Sequence, residues 1–158
     1  MKLQNLFIVV AVLLLLASAA SAQEYGFKTG QTVYVVAVRS TGQPDPSTEQ
    51  KLKEEFEKRK SFIIADSLQS ADFVFLMVVE YEFSQVMFNN IGSGSEAIKK
   101  VAAFAVLPDA YTQNKANLDD LRYYALWQMS ENNNALRIGN LPKKIVKKFH
   151  ENRAPKKR

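Results

Sequence analysis

The sequence predicts a single α+β domain, a mixed sheet of about five strands with two helices on one face, in the order β-α-β-β-β-β-α. Three observations carry this. Runs of β-branched and aromatic residues at 32–38, 62–65, 73–79 and 101–107 have strand length, not helix length. The first run, a segment of strong helix formers and the second run together span about 35 residues, the size of a βαβ unit. Removing residues 1–22 from 158 leaves 136, which suits one domain with a core large enough to need no covalent staples.

Residues 1–22 read as a secretory signal peptide. Lys2 precedes an unbroken apolar run from Leu6 to Leu16, and small residues follow to an A-x-A site at Ala20 and Ala22. A spanning helix would need roughly 20 apolar residues. The mature chain is expected to begin at Gln23, and the protein to be periplasmic or secreted. The chain has no cysteine. A disulfide framework, thiol catalysis, Cys-ligated zinc and a lipid anchor on cysteine are therefore all excluded. No N-x-[ST] sequon occurs, which favours a bacterial protein over a eukaryotic glycoprotein.

The elements follow in order. Thr32 to Val38 reads as a buried strand, broken by Gly42, Pro44 and Pro46. Ser47 to Gln50 has the capping-box pattern, and the segment to Lys60 is a very polar helix whose Leu52 and Phe56, four apart, form one core-facing stripe. Phe62 to Ala65 is a second strand, parallel to the first. Ser67 to Asp72 forms a turn. Phe73 to Val79 is apolar at every position, as a strand covered on both faces must be, and then passes into alternation at Tyr81 and Phe83. Asn89 to Ser95 is expected to be a flexible hairpin loop, and Val101 to Leu107 a fourth strand stopped by Pro108. The segment 117–129 fits two periodicities. Leu121, Tyr123, Ala125, Trp127 and Met129 alternate as in a strand, the favoured reading. Leu118, Leu121, Ala125 and Met129 have helical spacing, and Asn117 could cap such a helix. Pro142 opens a last helix with Leu141, Ile145 and Phe149 on one stripe. The domain is thus assigned to 23–150, with 151–158 as a basic tail.

The net charge of +5 hides an asymmetry. From Arg137 onward nine basic residues face Glu151 alone, near +8, whereas residues 23–136 carry eleven basic and fifteen acidic residues, near −4.

The order of a strand, a polar helix, Phe62 to Asp66, Ala71-Asp72 opening a long apolar strand, Ala125 to Trp127, and a closing helix with Lys147 to Phe149 resembles a known group. It is similar to the small exported α/β domains related to the amino-terminal domain of TolB and to curli-assembly and lipoprotein-activator domains, and to short uncharacterised secreted proteins with that core. The resemblance implies a role in envelope assembly through protein contacts and transfers no catalytic residue.

The surface most suited to function is the basic helix. Lys143, Lys144, Lys147 and Lys148 come in adjacent pairs four apart, so they share a face opposite Ile145 and Phe149. Such a face attracts anionic lipid headgroups, acidic glycans or an acidic protein; the simpler reading is a solvated face. Nucleic acid is not expected, given export and no interleaved aromatic and basic pattern. No cofactor is implied. Gly92 to Ala97 matches G-x-G-x-x-A, with Asp119 and Asp120 some 22 residues on, but it follows the third strand instead of opening the first βα turn, so a loop is the better reading. His150 is the only histidine and is expected on the exposed helix face. Asp66, Asp72 and Asp109 lie at strand ends, where carboxylates serve as turn formers or, in a small hydrolase or metal-dependent enzyme, as acid, base or ligands. Glu80, Glu82 and Ser84 mark a solvent face. Trp127, Tyr123 and Tyr111 are expected to pack in the core with polar tips outward, an aromatic platform being the alternative. The preferred function is a non-enzymatic envelope or secreted module that binds another macromolecule; the alternatives are the carboxylate enzyme and an anionic-surface binder.

Overall fold

The computed structural model describes residues 26–88, 91–132 and 140–152. Five strands form one mixed sheet: β1 (Thr32–Arg39), β2 (Ile63–Ile64), β3 (Phe73–Phe88), β4 (Ile91–Val106) and β5 (Trp127–Asn132), in the spatial order β2-β1-β3-β4-β5. β1 is parallel to both β2 and β3, whereas β3–β4 and β4–β5 are antiparallel. The α+β class, the single domain and the parallel β1–β2 unit expected from sequence are all present. Residues 1–22, expected to be a signal peptide, lie outside the described residues, as do 153–158; the expected tail 151–158 is corrected at its start, where Glu151 and Asn152 continue the closing helix.

Between β1 and β2 runs α1 (Pro46–Arg59). Its cap is Asp45, two residues before the expected box: the carboxylate accepts from Thr48 N at 3.1 Å, and Pro46 takes the first helical position where no N–H is missed. Glu49 in the first turn and Lys58 and Arg59 in the last complement the helix dipole. Lys60, at φ 52°, turns the backbone left-handed and returns its N–H to Phe56 and Glu57. The closing helix α4 (Leu141–Asn152) buries Leu141, Ile145, Val146 and Phe149. Both long helices lie on one face of the sheet. There Leu52, Phe56, Ile145 and Phe149 meet Val33, Val35, Phe73, Phe75 and Met77 in the larger core. Phe149 is its centre, with ring centroids 4.9 Å from Phe27, 5.1 Å from Phe75 and 4.9 Å from Trp127.

The opposite face is covered by two short helices absent from the sequence prediction, α2 (Pro108–Asn114) and α3 (Leu118–Tyr123). Leu121 packs there with Val74, Leu76, Val78, Phe104 and Val106, joined by half-buried Tyr111 and Leu118. This second layer explains why β3 is apolar at every position from Phe73 to Val79: both of its faces are covered.

The ambiguous segment 117–129 resolves into both of its readings. Asn117 caps α3, its side chain accepting from Asp119 N at 3.1 Å, and the chain then extends at Trp127 to form β5. The Asn89–Ser95 loop is corrected. β4 already begins at Ile91, and its ladder with β3 closes at Phe88↔Ile91. Gly92 and Gly94 are therefore ladder residues, paired with Met87 and Gln85, and cannot form a phosphate loop. The ladder shifts register once, between Glu80 and Tyr81.

Candidate functional site

The basic helix is partly engaged in holding itself to the sheet. Glu131 near the end of β5 has a side chain only 15% exposed, and its two oxygens take Lys144 Nζ at 2.6 Å and Lys148 Nζ. Burial alone would raise the Glu131 carboxyl, but the hydrogen bonds and charges of Lys144 and Lys148 hold it below its ordinary value. The helical spacing that places the two lysines on one face thus serves a structural clamp. Lys147 pairs with Glu151 at 3.6 Å within the helix, and Lys143 is exposed. Of the four lysines, Lys143 and Lys147 are the exposed ones, and Lys144 and Lys148 are half-buried.

The strand-end carboxylates sit in separate local roles. Asp72 Oδ2 accepts from Thr32 N at 2.6 Å and from Thr32 Oγ1 at 2.9 Å, tying the start of β3 to the start of β1. Asp109 lies in the first turn of α2, where a negative charge suits the dipole. Asp66 follows β2. Among the described residues no group of three or more His, Asp or Glu side chains is placed to hold a metal ion. The buried carboxylate is instead Asp45, 5% exposed, which accepts from Thr48 N, Thr48 Oγ1 at 2.9 Å and the Tyr81 hydroxyl. Burial opposes its ionisation, yet those hydrogen bonds, with the Arg39 charge, keep the carboxyl below its ordinary value. Burial and the hydrogen bond to Asp45 push the Tyr81 phenol up. The Arg39 guanidinium lies 4.8 Å over the Tyr81 ring. This cluster joins α1 to β1 and β3 beside the register shift, and it holds the sheet where β3 outruns β1.

The most open functional geometry surrounds β5. Among the described residues this strand is one of the two edges of the sheet, and its side chains alternate between half-buried Trp127, Met129 and Glu131 and exposed Gln128, Ser130 and Asn132. The register with β4 (Trp127↔Ala105, Gln128↔Phe104, Ser130↔Ala102) puts the first set toward α4 and the second on the face of α3. A cleft lies on each side. The one toward α4, about 600 Å³, runs along the strand from Trp127 to Glu131, Gln128 and Ser130 included, and is closed by Lys148 and Glu151. The other, about 510 Å³, has Ala102 and Phe104 as its floor, Gln128 and Ser130 on one wall, and Lys100 and Arg122 at its rim. It continues into a trough of about 240 Å³ under α3, bounded by Val78, Glu80 and Asp119. α2 packs on β3 and α3 on β4, which leaves the strip of sheet at β5 open.

Several expected residues stand elsewhere. His150 is half-buried, its ring 5.2 Å from Phe62 and 5.9 Å from Phe56, so it packs on the core edge where a solvated position was expected. Hydrophobic Ile145, Val146 and Phe149 pull this helix in so closely that its flank is covered too. Trp127 stacks on Phe75 at 5.9 Å and Tyr111 is half-buried, but Tyr123 is 87% exposed and pairs edge-on with Tyr124 at 5.3 Å. Trp127 and Tyr111 belong to opposite faces of the sheet and form no common platform. Lys100, Phe104 and Arg122 carry no local signal of a shared site in the sequence; the alternation of Gln128 and Ser130 with Trp127 and Met129 is the one cue it offers. Among the described residues no helix is long and apolar enough to cross a membrane. A scan against protein-family models and a search of curated proteins return no match to this chain.

Proposed function

We propose that this protein is an exported, non-enzymatic module that binds another macromolecule in the envelope or outside the cell, with β5 and the sheet strip beside it as the contact surface. The observation that carries the reading is the pair of clefts flanking an edge strand, one of them with an apolar floor and a cationic rim. Apolar area for burial, fixed charges for orientation and backbone groups at an edge are what a protein partner uses. The apolar run and A-x-A site at the N-terminus support export, and the resemblance to exported assembly domains supports a role through contacts. The basic helix is the weaker surface, because Lys144 and Lys148 are committed to Glu131.

A photo-crosslinking residue placed at Gln128 or Ser130, both exposed, tests this in envelope extract, with exposed Glu57 on α1 as the control position. Defined adducts from positions 128 and 130 and none from 57 support the reading. Adducts of equal yield from all three, or none from any, refute it.

A further inference from the structure

We propose that β5 takes an extended acidic segment of a partner as a sixth strand, with its alternate acidic side chains turned toward Lys100 and Arg122. This rests on the contact surface proposed above and names what occupies it.

An edge strand presents a row of backbone N–H and C=O groups, and an added strand sends successive side chains to opposite faces. β5 has six residues, about 20 Å of ladder, and among the described residues no strand pairs with its outer side. Trp127 to Asn132 carries neither the proline nor the lysine with which sheet edges are commonly protected from strand addition. The two clefts share Gln128, Met129 and Ser130 and so border this one strand along its length, beside the line that a sixth strand would take.

The clefts differ in chemistry, and the difference defines the occupant. Toward α3 the walls are neutral Gln128 and Ser130 and the rim carries Lys100 and Arg122. Arg122 has only a long contact with Asp119, 3.9 Å, whose side chain is 90% exposed. A carboxylate on an added strand, about 10 Å from β4, would lie beside Gln128 and Ser130 within reach of the long Lys100 and Arg122 side chains. Toward α4, Trp127 and Met129 offer apolar surface, and the charge of Glu131 is already met by two lysines. That side takes an apolar residue. The alternation is therefore acidic, apolar, acidic, apolar. A second copy of β5 fits less well, since its Gln128, Ser130 and Asn132 would bring no negative charge to Lys100 and Arg122.

Fluorescein-labelled acetyl-(Glu-Val)4-amide is the probe, titrated by anisotropy against the mature protein, with acetyl-(Lys-Val)4-amide as the control. The Glu-Val peptide should bind and the Lys-Val peptide should not. Lys100→Gln and Arg122→Gln should each weaken binding by about tenfold, the worth of one charge-assisted hydrogen bond, with unchanged melting temperature. Two further peptides, N-methylated on every Glu or on every Val, separate strand addition from charge attraction. One of them must lose binding and the other keep it, because only alternate amides of an added strand face the sheet. Hydrogen exchange should slow at alternate amides of Trp127–Asn132. Equal binding of both methylated peptides, equal binding of the Lys-Val peptide, or no binding of Glu-Val overturns the inference. If Glu-Val fails while crosslinks from positions 128 and 130 persist, strand addition falls and the binding module stands; loss of both removes the two together. Self-association through β5 that excludes the peptide also overturns it.

Discussion

Replacing Glu131 with glutamine tests whether the basic helix is held by charge. The carboxylate joins the sheet edge to α4 at two points one helical turn apart, Lys144 and Lys148. Exposed ion pairs contribute roughly 0–1 kcal/mol, and hydrogen bonds to charged groups about 1.5–3 kcal/mol. The lysine side chains are 40% and 41% exposed and rehydrate when released, so the lower part of that range applies. Glu131→Gln should cost about 2 kcal/mol, which lowers the melting temperature of a domain this size by roughly 6–10 °C. Lys147→Gln breaks a pair whose members are 61% and 57% exposed, and should cost under about 0.5 kcal/mol. The pH dependence separates charge from packing. Because the folded Glu131 carboxyl is held below its ordinary value of 4.5, its stabilisation is present in full above that pH. It is lost as pH falls through the lower folded value, where the native residue becomes a neutral analogue of the glutamine. Urea unfolding of wild type and variant from pH 7 downward should show a constant gap above pH 4.5 that closes in acid. A gap that is absent at pH 7, or that persists unchanged in acid, would show that charge does not hold the helix.

Phe75 is fully buried, 5.0 Å from the Phe56 ring and 5.1 Å from that of Phe149, so Phe75→Ala should cost roughly 3–5 kcal/mol of the 5–15 expected for a whole domain. Glu82, exposed on the same strand, should tolerate alanine within about 0.5 kcal/mol, and equal denaturation midpoints for the two variants would contradict the packing. Tyr81→Phe removes one donor from buried Asp45; stability should fall by about 1–3 kcal/mol, and the Asp45 carboxyl should move upward when followed by NMR titration. If the A-x-A site is cleaved as proposed, mass spectrometry of the protein recovered from its producing cells and their medium should find Gln23, free or cyclised, at the N-terminus; a retained Met1 on a membrane-bound product would remove the basis for export.

Much of the sheet was legible because its residues speak locally. A run such as Phe73 to Val79 has no polar position, so any fold must cover it twice, and the βαβ unit follows from strand, helix and strand at short spacing. Leu52 with Phe56, and Ile145 with Phe149, marked their helix faces through spacing alone. The cap of α1 was misplaced because Asp45 and Ser47 are both good caps; the choice fell to Asp45, which also meets Tyr81 across 36 residues. Gly92 and Gly94 suggested a loop because isolated glycines weaken a strand, yet pairing with β3 outweighs that preference. In segment 117–129 two periodicities overlapped, and neither could win from local spacing because each governs half of the segment.

The candidate site was the least legible part. Lys100, Phe104, Arg122 and Gln128 come from β4, α3 and β5, and nothing in their separate neighbourhoods shows that they share a cleft. By itself the sequence determined the α+β class, the buried central strand, the helix faces that meet it and the charge asymmetry, because apolar periodicity and composition act over a few residues. Only the tertiary structure decided which lysines are spent on Glu131, that two short helices cover the second face, and that they stop short of β5. Those outcomes depend on strand order and helix length in three dimensions, since a residue's partners across a sheet are set by the path of the whole chain and not by the residues beside it.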